Sequence, residues 1–276
     1  MNWKTVGWGG VMVWAAVVVW AAPPETRQER GKRVVMEALA ALGGDAYLRM
    51  EDRVEFGRAY SLYNGQITGL SQAKIYTRYL APAPGQLGLR ERDSYGKVDA
   101  RSSELKESNA VLFTEEGAWE ITFRGARPLD EQRYKNYKDS NLRNILYILR
   151  QRLKEPGLSF YSQGTDFYEH RPVEVVDITD ADNQTVTVQF DQATKLPSRQ
   201  TFRRRNEEYK DFDVEQTLFA KYRDVGGGVK WPGTIERDRN GSKIFQMYSE
   251  SVSVNQNLTD NLFTLSANMK MLPKAR

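Results

Sequence analysis

The sequence predicts a mainly β (α+β) protein: one curved antiparallel sheet that wraps around two or more helices. Three observations predict this fold class. Apolar and polar residues alternate over about a dozen segments, which is the pattern of half-buried strands. Turn-forming residues separate these segments at regular intervals. Two stretches carry the apolar period of a helix that faces a core.

Residues 185–202 show the strand pattern most clearly. Val186, Val188 and Phe190 alternate with polar residues, so one face of the strand is apolar. Asp191 can hold a turn with its short side chain. The following segment restarts as a strand, because a residue before proline is restricted to extended conformations.

The N-terminus has the features of a signal peptide at residues 1–22. Lys4 precedes an uncharged run, and Val19 and Ala21 suit the −3 and −1 positions of a cleavage site. The alternative is an uncleaved anchor, because about 18 uncharged residues can just span a bilayer. Either reading places the rest of the chain in the periplasm or outside the cell.

The first half of the chain is expected to contain a helix and a strand meander. After a polar linker at residues 23–29, apolar spacing predicts a helix over 30–42 that Gly43-Gly44 ends. A short helical turn follows at 45–50. Asn64-Gly65 marks a hairpin turn. The predicted strands cover 53–62, 72–80, 87–93, 96–102, 110–114 and 118–124.

A second helical region interrupts the strands at residues 130–154. Its apolar residues follow helical spacing, and they are Leu142, Ile145, Leu146, Leu149 and Leu153. A kink is expected near Asp139-Ser140, and Pro156-Gly157 ends the region.

The second half is again predicted to be strands. Asp182-Asn183, Gly226-Gly227-Gly228 and Asn240-Gly241 are its turns. The strands cover 158–167, 172–179, 185–191, 196–205, 214–223, 229–237 and 243–255, followed by a short element at 258–265. We therefore expect a single domain over 30–265 and a C-terminal tail over 266–276.

The size of this sheet implies that it must curl. About a dozen strands at roughly 4.8 Å spacing make a sheet on the order of 55 Å wide. Two helices, each about 10 Å across, cover less than half of its apolar face. The sheet must bury the remainder by curling. What stays uncovered is a concave pocket, a dimer surface or a packed core, and the pattern alone does not separate these outcomes.

Composition excludes several kinds of chemistry. The chain has no cysteine and one histidine, His170, which excludes disulfides, thiolate sites and histidine metal clusters within one chain. The acidic residues around Glu115 and Asp180 lie in predicted turns, where charge is expected anyway. We predict no catalytic residue, metal or cofactor. A net charge of +4 does not indicate a nucleic-acid partner.

Several segments together resemble the LolA/LolB-like superfamily of lipoprotein-sorting and lipid-carrier domains. They are the helix ending at Gly43-Gly44, the strand meander, the central helix, and the runs at 190–199, 222–232 and 252–263. The resemblance covers about residues 30–265. It implies an unclosed β-barrel on helices with an apolar cavity for acyl chains. The absence of cysteine excludes the lipid-anchored receptor form of the family.

We therefore expect a non-catalytic periplasmic or secreted protein that holds a lipid or lipoprotein acyl chain, for transport toward the outer membrane. The alternative is an envelope interaction or sensor domain with a filled core, whose partners are inner- or outer-membrane proteins. The expected cavity lining consists of apolar residues on alternating strand positions: Phe56, Ile75, Tyr79, Trp119, Ile121, Phe123, Val186, Val188 and Phe190.

Overall fold

The computed structural model describes residues 24–81, 86–102, 104–206 and 208–274, so the predicted signal peptide lies outside the described residues. Helix α1 (Arg27–Leu42) begins three residues earlier than the apolar spacing indicates. The reason is a capping box, in which Thr26 and Glu29 each accept a hydrogen bond from the other's backbone N–H. Gly43 ends the helix at a φ of 127°, and α2 (Asp45–Leu48) follows.

Six strands follow in the first half of the chain. They are β1 (Asp52–Tyr63), β2 (Gln66–Tyr79), β3 (Leu89–Val98), β4 (Leu105–Phe113), β5 (Ala118–Thr122) and β6 (Gly125–Pro128). Asn64 and Gly65, with φ of 49° and 74°, form the β1–β2 turn as predicted.

One strand prediction in this half is wrong. The predicted strands at 87–93 and 96–102 are a single strand, β3, which continues through Gly96. The β3–β4 register shifts between Tyr95 and Gly96, so this glycine marks a β-bulge. A Cβ atom at Gly96 would overlap the Lys106 carbonyl oxygen, so only glycine permits the approach of β4.

The central helical region has three parts. Helix α3 (Glu131–Leu142) is followed by α4 (Ile145–Tyr147), which continues into a π-helical turn, Ile148–Arg152. The break lies at Arg143-Asn144 and not at the expected kink four residues earlier. The Asn144 side chain causes the restart, because it accepts a hydrogen bond from Leu146 N at 2.9 Å.

The second half contains nine further strands. They are β7 (Ser159–Tyr168), β8 (Arg171–Thr179), β9 (Thr185–Asp191), β10 (Pro197–Asn206), β11 (Asp211–Ala220), β12 (Arg223–Asp224), β13 (Lys230–Trp231), β14 (Thr234–Arg239) and β15 (Ser242–Val254). Asp191 holds the β9–β10 turn, where its Oδ1 accepts from Thr194 N at 2.7 Å. A 3₁₀ helix, Asp260–Phe263, lies near the C-terminus.

Thirteen strands of the described residues form one antiparallel sheet, and β12 and β13 pair separately. The order is β6-β5-β4-β3-β2-β1-β15-β14-β11-β10-β9-β8-β7. The first and last long strands, β1 and β15, therefore join the two halves. The edge strands of this sheet are β6 and β7, which are neighbours in the chain, and α3 and α4 connect them. The C-terminal segment adds a short parallel bridge to β6, between Ala126 and Met271. The sheet is thus an unclosed barrel whose opening coincides with the helical insertion.

Both faces of the sheet carry packed apolar residues. On the concave face, α1, α2 and α4 pack over β8, β9 and β10 to form the largest core. On the convex face of β4 and β5, the C-terminal segment at 258–269 packs around Phe263, which is 2% exposed. Among the described helices none is long and apolar enough to cross a membrane.

Candidate functional site

A cavity of about 520 Å³ lies on the concave face, between the sheet and the helices α3 and α4. Its walls come from β1–β3 on one side and from β10, β11, β14 and β15 on the other. The cavity therefore lies at the centre of the curved sheet, where the two halves of the chain meet. It is the candidate binding site.

One wall of the cavity is apolar. Ile75, Tyr95, Ile235 and Phe245 surround the buried side chain of Met247 and are themselves partly buried. All five line the cavity, from β2, β3, β14 and β15. This wall offers a surface on which an alkyl chain can pack.

A second feature of the cavity is a belt of charged residues. Paired residues of neighbouring strands lie on the same face of a sheet, so register defines two rows on the concave face. The first row is Arg53, Thr77, Glu91 and Phe113, and the second is Glu55, Ile75, Asp93 and Val111. Arg53 (7% exposed) forms an ion pair with Glu55 (2% exposed) and lies 4.0 Å from Glu91. We call Arg53, Glu55, Glu91 and Asp93 the charged belt.

Neighbouring side chains satisfy Glu55 and Glu91 and contact Arg53, whose Nε is itself without a hydrogen-bond partner among the described residues. The Arg53 guanidinium lies 4.2 Å from the centroid of the Trp231 ring and donates to Thr77 Oγ1 at 2.8 Å. Glu55 accepts from Ser249 Oγ and from Trp231 Nε1. Glu91 accepts from Thr77 Oγ1 at 3.0 Å, and also from the Tyr137 hydroxyl.

Asp93 differs from the other members of the belt. Its Oδ1 is buried and has no hydrogen-bond partner among the described residues. Burial raises the pKa of the Asp93 carboxyl well above its ordinary value, and the negative charge of Glu91 raises it further. Arg237 and Arg53 oppose this rise only in part. This oxygen is therefore an acceptor without a donor among the described residues, although the carboxyl as a whole has a side-chain hydrogen bond with Tyr95.

Helix α3 covers one side of the cavity. The Tyr137 ring stacks on Phe113 with centroids 3.6 Å apart, which fixes the helix to β4. Arg204 of β10 reaches across and donates to Asn136 O at 3.0 Å and to Ser140 Oγ at 2.6 Å. Contacts to both halves of the sheet thus hold α3 over the cavity.

The structure places five of the nine predicted lining residues on the concave face. Ile75 and Tyr79 line the cavity. Val186, Val188 and Phe190 also face inward but are at most 2% exposed, because α1 and α4 pack on them. They form filled core.

The inward orientation expected for the other four residues is wrong. Phe56 and Ile121 lie on the convex face, in one row with Lys74, Ser94 and Ala110. Trp119 pairs with Leu112 on the same face and packs in the cluster around Phe263. Phe123 follows the end of β5 and is 89% exposed. Apolar residues occupy the convex face here because the C-terminal segment covers it.

Sequence reasoning missed the charged belt. Arg53 and Glu55, and likewise Glu91 and Asp93, are alternate residues of their strands, which is the usual pattern of a solvent-exposed face. Only the register shows that these residues face the cavity. The sequence contains one weak signal for the belt. In β1, charged residues alternate with apolar residues, so either face of the strand could point inward.

The other groups considered from sequence do not join this site. His170 lies in the β7–β8 turn with a φ of 63° and is exposed. Asp180 pairs with Arg152 at 3.2 Å, and Glu115 pairs with Arg90. The acidic and histidine side chains of the described residues form no group of three that could hold a metal ion.

No family model and no curated protein sequence matches the chain. Solved structures do match it. A DUF1329 family protein of Desulfovibrio piger has a TM-score of 0.56 at 12% identity, covering 85% of this chain and 97% of that protein. A putative outer membrane lipoprotein-sorting protein domain of Vibrio parahaemolyticus has a TM-score of 0.55 at 12% identity, covering 86% and 97%.

A LolA superfamily protein of Nitrosomonas europaea is also similar, with a TM-score of 0.46 at 11% identity over 82% of this chain and 97% of that one. At these identities the likenesses bear on the fold alone. The sheet order, the opening between β6 and β7 and the helices on the concave face agree with the fold that the sequence resemblance implies. The protein has a LolA-like fold.

Proposed function

We propose that the protein is a non-catalytic binding protein of the periplasm or the secreted space that holds a lipid or lipoprotein acyl chain in its concave cavity. The cavity is the observation that carries the proposal. Its volume of about 520 Å³ falls within the range of roughly 300–1,000 Å³ that is typical of ligand pockets. The likeness to a lipoprotein-sorting domain supports the same role.

The apolar wall favours the entry of an alkyl chain. Burial of each methylene group contributes about 0.8 kcal/mol, so a 16-carbon chain gains on the order of 12 kcal/mol before the costs of ordering. Ile75, Ile235 and Phe245 are the residues that such a chain would contact. Transfer of the chain to an envelope protein would complete a carrier role.

Uptake of lipid tests the proposal. The purified protein is incubated with palmitate, with a phospholipid and with a diacylated lipopeptide, and native mass spectrometry measures bound mass. We expect uptake by the unmodified protein and a loss of at least about tenfold in affinity in Ile75→Trp, because the indole occupies the cavity.

Ile67→Trp is the matched control, because Ile67 lies on the same strand but is 61% exposed and outside the cavity. It should bind as the unmodified protein does. If the unmodified protein takes up none of the three lipids, the proposed function is wrong. That result favours the alternative, an envelope interaction domain, for which the filled core over β8–β10 is the supporting observation.

A further inference from the structure

The charged belt suggests what the head of the ligand is. A purely apolar ligand would leave the belt inside the cavity without a role. Glu55 and Glu91 already receive hydrogen bonds from Trp231, Ser249, Thr77 and Tyr137. The Asp93 Oδ1 receives none from the described residues, although it is buried. A buried acceptor without a donor is costly, so a donor supplied by a ligand would be favoured.

The charges around Asp93 favour a positively charged donor. The charged groups that act on Asp93 are Glu91, Arg237, Arg53 and Glu55, two negative and two positive. Arg133, Arg204, Glu215 and Arg239 also line the cavity. Arg53 is already engaged with Glu55 and Thr77. An ammonium group would balance the negative charge of Asp93 once its carboxyl is ionised.

Aromatic side chains surround the same space. Tyr95, Phe113, Tyr137 and Trp231 all line the cavity. Phe113 and Tyr137 stack on each other and Arg53 lies over the Trp231 ring, so Tyr95 is the ring without such a contact among the described residues. The faces of aromatic rings attract cations, and the attraction strengthens when the cation is removed from water. The acidic side chains of the described residues lack the grouping that a metal ion requires. An organic cation therefore fits the site better than a metal.

We propose that the cavity selects an amphiphile whose head is a primary ammonium group, with the ammonium against Asp93 and Glu91 and the chain along Ile75, Ile235 and Phe245. The proposal rests on the proposed lipid-binding function and adds the chemistry of the head group. A primary ammonium has three N–H donors and one positive charge, which match a carboxylate with one unpartnered oxygen.

The binding of an ammonium group in this cavity should depend on pH. Burial and the charge of Glu91 raise the pKa of Asp93, so its carboxyl keeps a proton to a higher pH than an ordinary aspartate does in the empty protein. An ammonium group pairs with the ionised carboxylate, so its binding releases that proton. Affinity for an amine should therefore rise with pH, by about tenfold per pH unit while Asp93 is protonated in the empty protein. The groups that face Asp93 are Arg53, Glu55, Glu91, Tyr95, Tyr137 and Arg237.

Three probes with the same chain test the selection. The purified protein is titrated with hexadecylamine, palmitate and hexadecanol by displacement of a fluorescent fatty-acid analogue, at pH values from 5 to 8. We expect hexadecylamine to bind about ten- to hundredfold more tightly than hexadecanol at pH 7, and palmitate to bind more weakly than hexadecylamine. Only the affinity for hexadecylamine should increase with pH.

Asp93→Asn should reduce the affinity for hexadecylamine to that for hexadecanol, and leave the affinity for hexadecanol unchanged. Asp45→Asn is the control, because the Asp45 side chain is 84% exposed and lies outside the cavity. The pH series on the unmodified protein tests the proposal even if Asp93→Asn fails to fold.

Two outcomes would overturn the inference. If the unmodified protein binds hexadecanol or palmitate as tightly as hexadecylamine, the head-group selection is wrong while the proposed lipid-binding function stands. If the preference for hexadecylamine persists in Asp93→Asn, Asp93 is not its cause. Failure to bind any of the three probes would instead overturn the proposed function itself.

Discussion

Buried charge shapes the concave face at the scale of single residues. Moving an ion from water into a protein interior costs several kcal/mol, so Arg53 and Glu55 need compensation. They receive it from each other, from the Trp231 ring 4.2 Å from the guanidinium, and from Thr77 and Ser249. Such a network is costly to retain, and it lies in the wall of a cavity.

Asp93 should make the stability of the folded protein fall as pH rises. Burial is the larger cause of the raised pKa of its carboxyl in the folded state, and the negative charge of Glu91 is the next. Above the ordinary pKa of about 3.9 the unfolded chain loses this proton while the folded protein keeps it. The free energy of unfolding then decreases with increasing pH until the raised pKa is passed. Asp93→Asn should remove this decrease.

Urea unfolding at pH values from 4 to 8 measures the effect. The stability of Asp93→Asn relative to the unmodified protein should increase steadily with pH, and that of Asp45→Asn should stay level. A difference for Asp93→Asn that is flat across this range would show that the carboxyl titrates normally.

At the scale of elements, glycine allows two strands to pass close to their neighbours. Gly57 of β1 and Gly96 of β3 both lie where register shifts, and in both a Cβ atom would overlap a carbonyl oxygen of the paired strand. Without a side chain the strand can kink and continue. The kinks lie in strands that line the cavity, so they contribute to the curvature of its wall.

Gly96→Ala should destabilise the protein by about 1–3 kcal/mol, because the new methyl group must displace the backbone of β4. Gly69→Ala is the matched control in β2. The nearest atom to a Cβ atom there is Ser61 Cβ at 3.6 Å, an ordinary contact. Chemical denaturation should separate the two variants. Equal stabilities would mean that β4 adapts without cost.

At the scale of the whole molecule, the order of strands explains where the cavity opens. The chain runs around the sheet from β1 to β6, crosses through α3 and α4, and returns from β7 to β15. Pairing of β1 with β15 closes one side, and the helices occupy the remaining gap. Access to the cavity therefore depends on α3, which Arg204 and the Tyr137–Phe113 stack hold in place.

The convex face of β4 and β5 is a second core rather than a solvated surface. Phe263 is 2% exposed there and packs with Leu112 and Ile121. Phe263→Ala should cost about 3–5 kcal/mol of unfolding free energy. Phe123→Ala, at a side chain that is 89% exposed, should cost less than about 0.5 kcal/mol. Thermal or urea unfolding compares the two, and a small loss for Phe263→Ala would contradict the second core.

Much of the fold could be predicted from local patterns. The strand β9, the turns at Asn64-Gly65 and Asn240-Gly241, and the apolar stripe of α4 all depend on nearest neighbours in the chain. The curling of the sheet followed from the ratio of strands to helices, and the unclosed barrel is what the resemblance to the LolA/LolB-like superfamily implies. These features are local or additive, so a single sequence carries them.

What the sequence determined by itself is therefore the scaffold: alternating strands, their turns, two helical insertions and a sheet too wide to stay flat. The candidate site was decided by tertiary structure. Alternation shows that a strand has two faces but not which one points inward, and Trp119 and Ile121 face outward because a distant segment covers them. Arg53, Glu55, Glu91 and Asp93 face the cavity because strand register places them there, and register depends on contacts between residues far apart in the chain.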